Sequence, residues 1–326
     1  MLAAVSGPIT PAEPDFDAAA AYPEVAWIRD TAKARDWPSL SIYFERNVDP
    51  AGHWFVARTV AEAADREFLE SIATNETATT LPITLLAIRL ISDGWEIRTG
   101  AWGSDVSAER AKGFQDHLNG AEQFLIEATA REPHNTSAWC ARLDTARGLS
   151  LGQAEARRRY DRLTRHAPHH TPAQGKMIQQ LCPKWGGSYD AMHGFARQCA
   201  QASPPGSLNA SMVAEAHIEH WLLEDRDKER DNGTDAPSPY LAQHPVQQET
   251  MEAARHSVLN PAFQLVPGWV NAHSAFAMVF SLAGNYTAAA RHFRAMGNLG
   301  CEWPWMYWSE PEQTFAKHRD RALARG

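Results

Sequence analysis

Ala121-Glu122-Gln123-Phe124-Leu125, closed by Pro133, returns as Ala156-Arg157-Arg158-Arg159-Tyr160, closed by Pro168, and as Ala191-Met192-His193-Gly194-Phe195, closed by Pro204. The three prolines stand 35 and 36 residues apart. In each copy a small residue is followed four positions later by a large apolar or aromatic one. Four residues is about one helical turn, so the two share a helix face. A proline a turn or two further on cannot continue the helix. Self-similarity at a period in the mid-thirties marks helix pairs that bury their apolar faces against the next pair. The spacing therefore predicts an all-α chain, an irregular α-solenoid of antiparallel helix pairs.

Working outward, each unit has an opening helix. Trp139 and Leu143 belong to the one before Ala156, and residues 172–181 form the one before Ala191. A fourth opening helix runs over 207–223. Further pairs follow at 247–259, 269–283 and 288–296, and an end helix at 315–323. Before the clear repeats, residues 16–106 read as a degenerate helical region. Within it, one helix is expected over 53–72 and another over 81–92, stopped at Asp93-Gly94. Residues 95–102 fit either an extended connector or a further short helix. The expected divisions are a mobile tail over 1–15, the degenerate region 16–106, repeats over 107–224, a charged flexible insertion over 225–246, and last repeats with an aromatic cap over 247–326. In the run Trp303-Pro304-Trp305-Met306-Tyr307-Trp308 the aromatic side chains would cover the final apolar face.

Composition narrows the function. The chain has 326 residues, 44% hydrophobic and 21% charged, with a net charge of −8. An acidic chain does not neutralise a phosphate backbone, so nucleic acid is not an expected partner. The longest apolar run, 81–91, is too short to cross a bilayer, and the first residues lack a secretory leader's basic start. Four widely spaced cysteines without a CxxC pair predict neither a disulfide framework nor a zinc knuckle. The expected setting is the cytoplasm. Arg outnumbers Lys 25 to 6, a balance read as the mark of a GC-rich bacterial genome.

Gly284-Asn285-Tyr286, Ala289 and Phe293 resemble the tetratricopeptide repeat, as do the alanine-to-proline units and the Trp139 helix. In that family a small residue lets two helices approach, an aromatic fills the gap and a proline ends the unit. The resemblance implies those roles for Ala121, Ala156, Ala191 and Ala289, for Leu125, Tyr160, Phe195 and Phe293, and for Pro133, Pro168 and Pro204. It covers residues 107–297. The period exceeds the usual 34, and Leu143, Gln179 or Ala277 stands where the family has a glycine. Pro183-Lys184-Trp185-Gly186-Gly187-Ser188, followed by Met192 and Phe195-Ala196-Arg197, is similar to the DUF4034-like group of uncharacterised bacterial helical proteins. That likeness implies a helical fold and no activity.

The expected function is a non-catalytic scaffold or adaptor. It would bind a protein or peptide along the opening helices, among Trp139, Lys176, Gln180, Met212, His217 and His273. The Lys184–Ser188 loop reads first as a turn with a helix cap, and second as a ligand loop in which Lys184 presents charge beside Trp185. Arg157, Arg158, Arg159, Arg162 and Arg165 read first as a solvated face and second as a contact for an acidic peptide. The alternative function is a helical-repeat enzyme or a small-ligand or metal sensor with a pocket near Trp185, His217, Glu219 and His220. His217 and His220 have the spacing of two metal ligands without a complete set. No cofactor is expected, and GxSxG, GxGxxG and phosphate-loop motifs are absent.

Overall fold

The computed structural model describes residues 12–46, 49–99, 107–224 and 236–326. These residues are helical throughout, with turns between and no strand. The chain divides into two compact units, Pro23–Ser203 and Met1–Tyr22 with Pro204–Gly326. The division falls at the third of the spaced prolines, inside the stretch 107–224 read as one array.

A short α1 (Ala18–Ala21) belongs to the terminal unit. The Pro23–Ser203 unit starts with α2 (Glu24–Lys33), α3 (Trp37–Arg46) and α4 (Pro50–Ala63). Asp49 caps α4 by accepting from the Gly52 N–H, with Pro50 just inside the helix. The single helix expected over 53–72 is two. Ala64 and Asp65 are extended, and the Asp65 carboxylate accepts from the Phe68 N–H at 2.9 Å to begin α5 (Arg66–Asn75).

Next comes α6 (Leu81–Arg98), which does not stop at Asp93-Gly94 as expected. Gly94 is a contact residue instead. A Cβ there would lie 2.7 Å from Leu118 Cδ1 on α7 (Ala108–Arg131). Gly148, the last residue of α8 (Thr136–Gly148), meets the same side chain, with a Cβ 2.1 Å from Leu118 Cδ2. Leu118 is fully buried. The two glycines let α6 and α8 close on α7. Trp95 is therefore helical, and residues 100–106 lie outside the described ones.

The rest of the unit is α9 (Gln153–Thr164), α10 (Thr171–Leu181) and α11 (Tyr189–Ala202). Side chains of Ser107, Asn135, His170 and Ser188 cap α7, α8, α10 and α11. Helix α8 packs on α7 and α9, and α10 packs on α8, α9 and α11. Ala121, Leu125, Ala156, Tyr160 and Phe195 are buried as expected. Ala191 is not; it is exposed. Ala121 and Ala156 lie twelve residues before their prolines, and the residue twelve before Pro204 is Met192, which is fully buried. The buried position of the third copy is thus Met192, and the small-residue role expected of Ala191 is not filled there.

In the terminal unit, α12 (Ser211–Glu224), α13 (His244–His256), α15 (Tyr286–Met296), α16 (Glu302–Trp305) and α17 (Pro311–Arg325) pack around α14 (Trp269–Leu282). The stretch expected to be a flexible insertion, 225–246, is described only from residue 236. There Ser238 and Leu241 are fully buried, and α13 begins at His244. Ala289, Phe293 and Trp305 are buried, and Trp305 stands edge-on to Phe315 at 5.5 Å. Asp15, the last residue of the expected tail, exchanges backbone hydrogen bonds with Asn298 and Gly300 at 2.8 Å.

Candidate functional site

Of the three side chains named for the opening-helix face in the Pro23–Ser203 unit, Trp139 and Lys176 are engaged within it and Gln180 is buried. Trp139 is buried, donates from its indole N–H to the Pro133 carbonyl at 2.9 Å, and carries the Arg142 guanidinium 5.1 Å from its ring centre. The Lys176 ammonium donates to the Asp144 carboxylate and lies 4.7 Å over the Trp54 ring. The arginine run is partly spent inside as well. Arg159 is buried and reaches Glu122 at 2.8 Å, where Arg142 also donates at 2.7 Å. Arg157 and Arg158 pair on the surface with Asp161 and Glu155. The hydrogen bond from Arg158, and after it that from Arg159, pulls the pKa of Glu155 down to about 2.

The glycine loop follows its structural reading. Pro183–Trp185 is one 3-10 turn, Gly186 has φ 82°, and Ser188 caps α11. Lys184 is exposed. Trp185 does more than close the joint. It meets Trp95 edge-on at 6.2 Å, and the guanidiniums of Arg98 and Arg147 lie 5.7 and 5.5 Å from its ring centre. Trp95, Arg98 and Arg147 were not among the residues named from sequence. A signal existed: with α6 running through Gly94, Trp95 and Arg98 stand at i, i+3 on one helix face.

In the terminal unit Met212, His217 and His273 are buried. His217 Nδ1 lies 2.7 Å from the Tyr240 hydroxyl and Nε2 lies 3.2 Å from Glu249 Oε2. The His220 ring stacks on Tyr240 at 4.0 Å. Glu219, two residues from His217, points to the opposite side of α12, since each residue advances about 100°. There its carboxylate accepts from the Tyr307 hydroxyl at 2.9 Å, beside Glu215. Burial, and then the charge of Glu219, push Glu215 up to about 8. The grouping of His217, Glu219 and His220 as one ligand set is thus corrected by helix geometry. Among the described residues no three His, Cys, Asp or Glu side chains converge as a metal site. His273 and His292 meet through their Nδ1 atoms at 3.0 Å, and burial lowers His273 to about 4.

An accessible concave feature lies elsewhere in the Pro23–Ser203 unit. A groove of about 520 Å³ runs over α6, with α5 and α7 as its walls. Its floor is Leu86 and Leu90. The α5 wall presents Arg66, Glu70, Ala73 and Thr74, and the α7 wall Asp116, His117, Gly120 and Phe124. Arg66 and Glu70 form an ion pair at 2.8 Å. The Thr74 hydroxyl donates to the Glu70 carbonyl, and His117 Nδ1 is bonded to the Gly113 carbonyl. None of these residues was named as a site from sequence: α5 and α6 precede the clear repeats, and the α7 residues lie between the packing positions of the first one. No family model, curated protein or solved structure matches the chain.

Proposed function

We propose that this chain is a non-catalytic binding protein with a tetratricopeptide-like arrangement of helix pairs, and that its α5–α7 groove takes an amphipathic helical segment of a protein partner. The observation that carries the reading is the groove: an apolar floor on one helix between two walls with charged rims. A helix lays its i, i+3/i+4 and i+7 apolar residues into such a floor. Of the residues first named along the opening helices all but the half-buried Lys176 are buried, and Lys176 is paired with Asp144, so the binding role moves from them to the groove. The polar lining supports binding over chemistry. The groove's hydroxyl and imidazole bond to backbone carbonyls of their own helices. No described helix is long and apolar enough to cross a membrane, and the cysteines are free thiols. Both fit a partner met in the cytoplasm.

The alternative enzyme or sensor pocket draws on Trp185 from one unit and His217 and His220 from the other, and no observation within either unit favours it. Selection from a random library of helical peptides tests the proposal. The enriched peptides should share the i, i+3/i+4, i+7 apolar pattern and should slow amide exchange in α5 and α7. Peptides that protect other helices instead would refute it.

A further inference from the structure

In the terminal unit, residues 12–16 lie extended along the connector between α15 and α16, held there as a bound peptide would be. The Asp15 N–H donates to the Asn298 carbonyl and the Gly300 N–H donates to the Asp15 carbonyl, both at 2.8 Å, a parallel pairing of Asp15 with Leu299. Arg319 Nη1 on α17 donates to the Ala12 carbonyl at 2.8 Å. The Phe16 ring meets Phe315 edge-on at 5.6 Å. Gly300 makes room for that ring, since a Cβ there would lie 2.1 Å from Phe16 Cε1. Phe315 is in turn edge-on to Phe293 and Trp305, at 5.4 and 5.5 Å, so the wall Phe16 rests on is part of the aromatic core. Backbone pairing along an extended segment, with one side chain in a pocket, is the way strand addition reads a peptide.

The segment is lightly anchored. Ala12, Glu13 and Asp17 are exposed, and α1 buries no residue. Pro14 has no N–H to give. At the end of α1 the Tyr22 hydroxyl accepts from the Gly268 N–H at 2.9 Å. A stretch held by a few main-chain bonds and one half-buried ring opens at a far lower free energy than a packed core. The pocket, by contrast, is built on elements with other support: Phe315 and Arg319 stand on α17, which packs along α15. The segment also ends where the chain changes unit, since Tyr22 belongs to the terminal unit and Pro23 opens the other. Once free, it can fill the same site on another copy, the exchange of identical elements that makes a swapped dimer. Within one chain the tether keeps the site filled, because it supplies the segment at an effective concentration on the order of millimolar.

We propose that residues 298–300, Phe315 and Arg319 form a docking site for an extended segment bearing an aromatic residue, that residues 12–16 are its resident ligand, and that its occupant in trans is the same segment of a second copy of this chain. The site lies in the terminal unit and does not depend on the α5–α7 groove. Two full-chain variants are complementary. Phe16→Ala loses the anchor and keeps an open site. Gly300→Ala keeps the anchor and closes the site, because the added methyl takes the place of the ring. A fluorescent peptide of residues 12–22 should bind the Phe16→Ala chain one to one. It should bind the wild type at least about tenfold more weakly, because the chain's own segment competes. It should bind a chain carrying both substitutions at least about tenfold more weakly as well. In sedimentation each single variant should stay monomeric, and an equimolar mixture of the two should form a one-to-one dimer. Asp15→Pro removes the N–H given to Asn298 and leaves the pocket untouched, so it serves in place of Phe16→Ala if that variant fails to fold. The proposal is overturned if the peptide does not bind a folded chain with its segment released, if it binds the doubly substituted chain equally well, or if the mixture stays monomeric.

Discussion

Leu118 touches a glycine on each of two neighbouring helices, and that single side chain sets how closely α6, α7 and α8 approach. Gly148→Ala would place a methyl inside the van der Waals radius of Leu118 and 2.9 Å from Phe114 Cζ. Overpacking of this kind typically costs about 1–3 kcal/mol, and chemical denaturation should show a loss of that size. Glu122 has the opposite problem, since it neutralises two buried arginines from α8 and α9. Glu122→Ala leaves Arg142 uncompensated and Arg159 with Glu155 alone, and should lose about 3–5 kcal/mol by the same measurement. Neither feature was legible in the sequence. Gly94 looked like a helix stop, and Arg159 looked like one member of a surface charge run. Their partners lie 20 or more residues away and are chosen by packing.

Helix boundaries were legible where local chemistry decides them. The predicted opening and closing helices from residue 107 onward match the observed ones to within a few residues, because Asn135, Ser188 and Asn285 cap them through their own side chains. The break between α4 and α5 was missed because the apolar period runs on through it. One cap, Asp65, enforces that break, and Asp65→Ala should cost about 1 kcal/mol and lower the urea midpoint slightly. The repeat pattern located the third closing helix but chose Ala191 over Met192. A one-residue drift in spacing turns a side chain by about 100°, enough to move it from core to solvent.

At the scale of the whole molecule, buried ionisable groups set opposing pH limits. His170 in one unit and His273 in the other are both lowered to about 4, mainly by burial. For a histidine so depressed, the favourable contribution is present above its ordinary value near 6.5 and is lost as pH falls toward 4. Glu215 runs the other way. Its carboxyl is raised to about 8, so its contribution is complete below the ordinary carboxylate range and disappears as pH rises through 8. Urea midpoints should therefore fall as pH drops from about 6.5 toward 4 through the histidines, and fall on the alkaline side as pH rises from the ordinary carboxylate range to about 8 through Glu215. Glu215→Gln should flatten the alkaline limb alone, and an unchanged alkaline limb would contradict the assignment.

The groove was the least legible part of the chain, because two of its three helices, α5 and α6, precede the visible repeats and the third, α7, was read only for its packing positions. Gly120 gives direct access to it. A Cβ there has only Leu90 Cδ1 within 4 Å, at 3.9 Å, so a large side chain would fill the groove and leave the core intact. Replacing glycine by tryptophan inside α7 also recovers a few tenths of a kcal/mol of helix propensity. The decisive measurement is the affinity of a library-selected helical peptide for the wild-type chain and for Gly120→Trp, with thermal melting of both. The groove reading predicts an unchanged or higher melting temperature and affinity weakened by about tenfold or more. Equal affinity in a folded Gly120→Trp protein would contradict it.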